Sequence, residues 1–78
     1  MEVSYNRLWK QMIDKRMKKS DLMRVADIST ATVAKMSKEK PISIEVLGRI
    51  CIALSCDIGE VIEIILPERK DGDFNIDD

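Results

Sequence analysis

Apolar residues recur every three or four positions along most of this chain, and the phase of the recurrence resets several times. Leu8, Trp9, Met12, Ile13 and Met17 form the first stripe, with Arg7, Lys10, Gln11, Asp14, Lys15 and Arg16 covering the remaining surface. Residues three and four apart share a helix face, so this spacing predicts a helix from Asn6, capped by Ser4 or Asn6. Leu22, Met23, Ala26, Ile28, Val33 and Met36 then supply the inner sides of two shorter helices. These run from Lys18 to about Ala26 and from Thr30 to about Ser37, with a corner at Asp27, Ile28 and Ser29. Asp21 falls in a first helical turn, where the helix dipole favours an anion. Asp27 suits a corner needing positive φ, and Ser29 is placed to cap the third helix through the amide of Ala31 or Thr32.

The segment KEKP, residues 38–41, reads as a loop. Ser43 caps a fourth helix on which Ile44, Leu47, Ile50, Cys51 and Leu54 recur. Gly48 within it costs about 1 kcal/mol relative to alanine, a cost that close packing there would offset. Asp57 and Glu60 have the spacing of a capping box for a short fifth helix. Val61, Ile62, Ile64, Ile65 and Leu66 are too dense for one helical face, and their β-branching predicts a strand from about Glu63. Its natural antiparallel partner is Val3–Tyr5. The pattern thus predicts an all-α fold of five helices with a short strand pair joining the N- and C-terminal segments. Residues 1–66 form the domain, and residues 67–78 an acidic tail of disordered composition.

At 78 residues, 45% apolar and 35% charged, the chain matches a single globular domain. No apolar run approaches the roughly 20 residues that span a bilayer, and MEVSYNRLWK lacks a signal-peptide core, so a cytoplasmic protein is expected. Cys51 and Cys56 are the only cysteines and histidine is absent. Two thiols do not complete a four-ligand zinc site, and their spacing is not C-x-x-C, so both are expected as reduced residues of the core or its edge. No cofactor, metal or small-molecule ligand is indicated. Catalysis is disfavoured by the lack of histidine, of a phosphate-cradling glycine loop and of G-x-S-x-G. Trp9, within an apolar stripe, is expected in the core.

Charge changes the picture more than composition does. The formal net charge is −1, yet residues 1–56 hold eleven Lys/Arg against six Asp/Glu, a net of +5. Residues 57–78 hold two against eight, a net of −6. Eight of the thirteen basic residues fall between Lys15 and Lys40, around the two-helix corner. A compact corner with a slim, basic outer helix suits the DNA major groove.

The run L-x-x-x-A-D-I-S from Leu22 to Ser29, Thr32-Val33, I-E-V-L-x-x-I-x-x-A-L from Ile44 to Leu54, and C-D-I-G-E-V-I from Cys56 to Ile62 together resemble the Cro-type phage repressor family of helix-turn-helix proteins, also called the XRE family. The resemblance covers about residues 6–66. It implies a five-helix repressor-like bundle binding operator DNA as a transcriptional regulator, in the repressor sense, with its third helix in the major groove. Carried over by position, base contacts fall on Thr30, Ala31, Ala34 and Lys35. Phosphate contacts fall on Lys18, Lys19, Ser29, Thr32, Lys38 and Lys40. The chain departs from the family at Asp27 in place of a corner glycine, at Lys19 in place of a glutamine, and at Ser37 and Glu39 in place of Glu and Gly. The missing Glu removes an ion pair that some members use to hold helix one.

The resemblance also implies a homodimer spanning half-sites one helical turn, roughly 34 Å, apart. The apolar excess at Val61–Leu66, with the fifth helix and the loop before it, is the candidate contact surface; the competing reading has this run consumed by the intrachain strand pair and the core. A second class of function for the same fold is a protein-interaction module, antitoxin-like or a phage regulatory partner, without autonomous DNA binding. A salt-dependent mobility shift with duplex DNA separates the two.

Overall fold

Short local signals become a bundle here because each helix stops where the next must turn inward. A computed structural model describes residues 1–67; the expected acidic tail lies outside the described residues apart from Pro67. The order is β1 (Glu2–Ser4), α1 (Asn6–Asp14), α2 (Lys19–Ala26), α3 (Thr30–Ser37), α4 (Ile44–Leu54) and β2 (Glu63–Ile65). The strands pair antiparallel with Glu2 opposite Ile65, Val3 opposite Ile64 and Ser4 opposite Glu63. This is the expected pairing, ended one residue before Tyr5.

The expected fifth helix is a correction. Ile58–Glu60 is a single 3-10 turn, leaving four α-helices among the described residues. Its cap is as predicted: the Asp57 amide donates to Glu60 Oε1 at 3.0 Å, and Asp57 Oδ1 accepts from the Ile58 amide at 2.8 Å. The helix fails to propagate because Val61 plunges fully into the core and β2 begins two residues later. No full turn fits between them.

All four helices end alike, without glycine. Arg16, Asp27, Glu39 and Ser55 lie in the left-handed region, with φ of 57°, 56°, 58° and 53°. The next residue in each case bonds back to the carbonyl five before it: Met17 to Met12 at 2.8 Å, Ile28 to Met23 at 3.1 Å, Lys40 to Lys35 at 3.0 Å and Cys56 to Cys51 at 3.0 Å. These are Schellman-type caps, which satisfy the last carbonyls and reverse the chain sharply. The positive φ anticipated at Asp27 is present. The cap at Arg16 also shortens α1, whose apolar periodicity continued to Met17.

Tyr5, Leu8, Leu22, Met36, Ile50 and Val61 are the large side chains wholly removed from solvent, one from each helix plus Tyr5 after β1 and Val61 before β2. Two expected core positions are not core: Ile13 is 73% exposed and Ile44 71%. Leu8 with Met12 and Leu47 with Ile50 and Leu54 set the inward directions. At about 100° per residue, Ile13 and Ile44 fall about a quarter turn or more away. Gly48 is a further correction, since a Cβ built there meets no atom within 4 Å. The Tyr5 hydroxyl donates to the Lys40 carbonyl at 2.6 Å, anchoring the loop after α3 to the base of α1. Burial pushes that phenol's pKa upward.

Candidate nucleic-acid interface

Val33 and Met36 face inward and pin α3 to the core, where Leu22 and Ala26 of α2 and Ile28 of the corner are also buried. The opposite face of α3 carries Thr30, Ala31, Ala34 and Lys35, all exposed. These positions, one and four apart, form one surface strip. Ala31 and Ala34 keep that strip thin, so the helix backbone can approach a base-pair edge closely. Thr30 Oγ1 has only a weak contact, 3.7 Å from Met23 Sδ, which leaves its hydroxyl available to an outside partner. Lys35 makes no ion pair among the described residues.

The start of α3 is built by two residues expected at phosphates. Ser29 Oγ accepts the Thr32 amide at 3.1 Å and lies 3.0 Å from Thr32 Oγ1. This is the predicted cap, with Thr32 rather than Ala31 as donor. It sits at the positive end of the helix dipole, beside free amides suited to an anion. Lys18 precedes α2 and is exposed; its amide donates to Asp21 Oδ2 at 2.9 Å. Lysine has no acceptor to return the bond, so this cap is one-sided. Lys38 and Lys40 follow α3 and expose their side chains.

Lys19 differs from the other candidates. Its Nζ stands 4.9 Å from the centroid of the Trp9 ring and 2.9 Å from Ser37 Oγ. One ammonium therefore clasps α1, the start of α2 and the end of α3. Trp9, expected in the core, is half-buried and packs against it from the rim, 6.4 Å from the Tyr5 ring. Ser37, which stands where the resemblance implies a glutamate, receives the clasp through its hydroxyl.

Two positioning residues escaped the sequence reading. Arg49 donates to the Asp27 carbonyl at 3.2 Å, bracing the corner from α4, and pairs with Glu45 at 3.8 Å. Only the Glu45–Arg49 spacing, four apart on a helix, hinted at it. Arg24 pairs with Asp21 at 3.2 Å, so part of the basic cluster is neutralised locally. The Lys18 amide and the Arg24 guanidinium hold the Asp21 carboxyl below its usual pKa.

Among the described residues no group of three or more His, Cys, Asp or Glu is placed to hold a metal, and no helix is long and apolar enough to cross a membrane. Of the Val61–Leu66 run, Val61 is buried and Ile62 half-buried, while Ile64, Ile65 and Leu66 are exposed.

A family model described as the Cro/C1-type HTH DNA-binding domain matches residues 7–67, from α1 to just beyond β2. The crystal structure of the transcriptional regulator VanUg is similar at 48% sequence identity, covering 86% of this chain and 88% of that one, with a TM-score of 0.78. No curated protein sequence matches the chain.

Proposed function

Because the chain belongs to the Cro/C1-type helix-turn-helix DNA-binding domain family, we propose that it is a transcriptional regulator that binds double-stranded DNA sequence-specifically and acts as a repressor. One observation carries this reading: α3 is locked to the core by Val33 and Met36 and turns a thin, exposed Thr30–Ala31–Ala34–Lys35 strip outward.

In this reading α3 enters the major groove. Lys35 reaches guanine O6 or N7, Ala31 and Ala34 meet thymine methyls, and Thr30 bonds to a base edge. Lys18, Lys38 and Lys40 meet phosphates from both sides of the motif, while Ser29 and Thr32 present the α3 N-terminus to another. Lys19 holds the three helices in register, and its phosphate role gives way to that clasp. The sequence-independent attraction comes from the lysines through counterion release, so affinity falls with salt. Two copies pair through the exposed Ile64, Ile65 and Leu66 of β2 and its continuation, matching a two-fold operator.

The test is selection of bound sites from a random duplex pool, followed by mobility shifts across salt concentrations. The expected result is one enriched motif with pseudo-two-fold symmetry and binding that weakens steeply with salt. Absence of any DNA retention at low salt would reassign the fold to protein interaction. Light scattering at tens of micromolar tests the dimer, and a persistent monomer removes it.

A further inference from the structure

The DNA-binding reading leaves both cysteines unused. Cys51 lies in the last turn of α4, and Cys56 follows the left-handed Ser55. The Cys56 amide bonds to the Cys51 carbonyl at 3.0 Å and the Ser55 amide to that of Ile52 at 3.3 Å. This paired pattern is the Schellman cap, in which the residue after the left-handed position lays its side chain against the one five before it. At the ends of α1 and α2 the corresponding pairs are Met12 with Met17 and Met23 with Ile28. At the end of α4 the pair is two thiols.

Both thiols are free and half-buried, and they line one open surface recess with Ile52, Ser55, Asp57 and Glu60. The cap bond ties the two residues' backbones directly together and their thiols share that recess, the kind of proximity a disulfide needs, with its α-carbons roughly 4.4–6.8 Å apart. We propose that Cys51 and Cys56 form a dithiol modification site, which a low-molecular-weight disulfide converts to an intrachain disulfide across the C-terminal cap of α4.

The exchange balances in two steps. One protein thiolate attacks a sulfur of the small disulfide, releasing one small thiol and leaving a mixed disulfide. The second cysteine gives its proton to solvent, attacks the protein sulfur of that mixed disulfide and releases the second small thiol. Two protein thiols are oxidised by two electrons, and the small disulfide is reduced to two thiols. Burial, followed by the neighbouring Cys56 and the carboxylates of Asp57 and Glu60, pushes the Cys51 thiol up. Cys51 therefore suits the second, intramolecular step, where proximity offsets its low thiolate fraction. The closed bond staples the helix whose Arg49 braces the corner at Asp27.

The test uses the full chain with oxidised glutathione, thiol alkylation and intact mass. The expected product is a monomer lighter by two hydrogens, unalkylated, free of glutathione and restored by dithiothreitol. Ring closure is expected to be about tenfold or more faster in the native protein than in concentrated guanidinium chloride, because only the native cap aligns the sulfurs. Cys51→Ser is expected to stop at the glutathione adduct on Cys56, and Cys56→Ser to form its adduct on Cys51 more slowly and stop there too. A lasting adduct on the unaltered chain, a cross-linked dimer, no reaction, or equal closure rates folded and unfolded would each overturn the proposal. None of these readouts depends on DNA.

Discussion

Replacing Lys19 with alanine is expected to weaken the fold and leave the grip on phosphates intact. The ammonium stands 4.9 Å from the Trp9 ring centroid and 2.9 Å from Ser37 Oγ. A cation over an aromatic ring at an exposed site contributes about 0.5–1 kcal/mol. A hydrogen bond from it adds about the same, less what the side chain regains from water once released. The combined loss is about 1 kcal/mol, a fall in Tm of roughly 4–8 °C for a domain of this size. The single tryptophan, Trp9, reports the melt directly by its fluorescence. In parallel, binding to labelled duplex DNA is followed by anisotropy from roughly 50 to 200 mM salt. A lysine on a phosphate contributes about 0.9 to the slope of log K against log salt. Lys38→Ala should lower the slope by about that amount per copy, and Lys19→Ala should not. An unchanged Tm together with a slope lowered by about 0.9 would refute the clasp and return Lys19 to the phosphates.

Lys35→Ala is expected to cost roughly 1–3 kcal/mol of binding and to relax preference at one base pair, measured by titration across operator variants. A uniform loss on every sequence would make Lys35 a phosphate contact. Gly48→Ala should stabilise the protein by about 1 kcal/mol in urea melts, because the helix gains propensity and the added Cβ meets no atom within 4 Å. Destabilisation, or loss of DNA binding with stability gained, would point to a close approach at Gly48 by something outside the chain. Asp21 carries the pH dependence. Its folded pKa lies below its unfolded value, through the Lys18 amide and then Arg24, so its contribution is present above the unfolded value and lost as pH falls through the folded one. The Tm advantage over Asp21→Asn should therefore hold at pH 7 and vanish in acid below the usual aspartate range; an advantage unchanged down to pH 2 would contradict it.

Much of the fold was legible because local chemistry and burial agree. Leu22, Ala26, Ile28, Val33 and Met36 recur at helical spacing, and all five are buried. Ser29, Ser43 and the Asp57–Glu60 pair were read as caps from residue type alone, and each bonds as a cap. The strand pair was legible because β-branched residues crowd β2 beyond what one helical face accepts. The fifth helix was over-read, since a capping box announces a helix start and says nothing of its length. The stop came from Val61, wholly buried in a core to which α1 and α4 also contribute.

Residue order alone fixes where helices begin, which corner joins α2 to α3, and which residues line the outer strip of α3. Those follow from near-neighbour effects: side-chain caps, 3.6-residue periodicity and tolerance of positive φ at Asp27. Tertiary structure decided what needs contact between distant positions. It placed Arg16, Glu39 and Ser55 in left-handed caps with no glycine to mark them, because packing and the 6-to-1 bond outweigh about 1–2 kcal/mol of local strain each. It also gave Lys19 a clasp, since the partners of its charge, Trp9 and Ser37, lie ten and eighteen residues away.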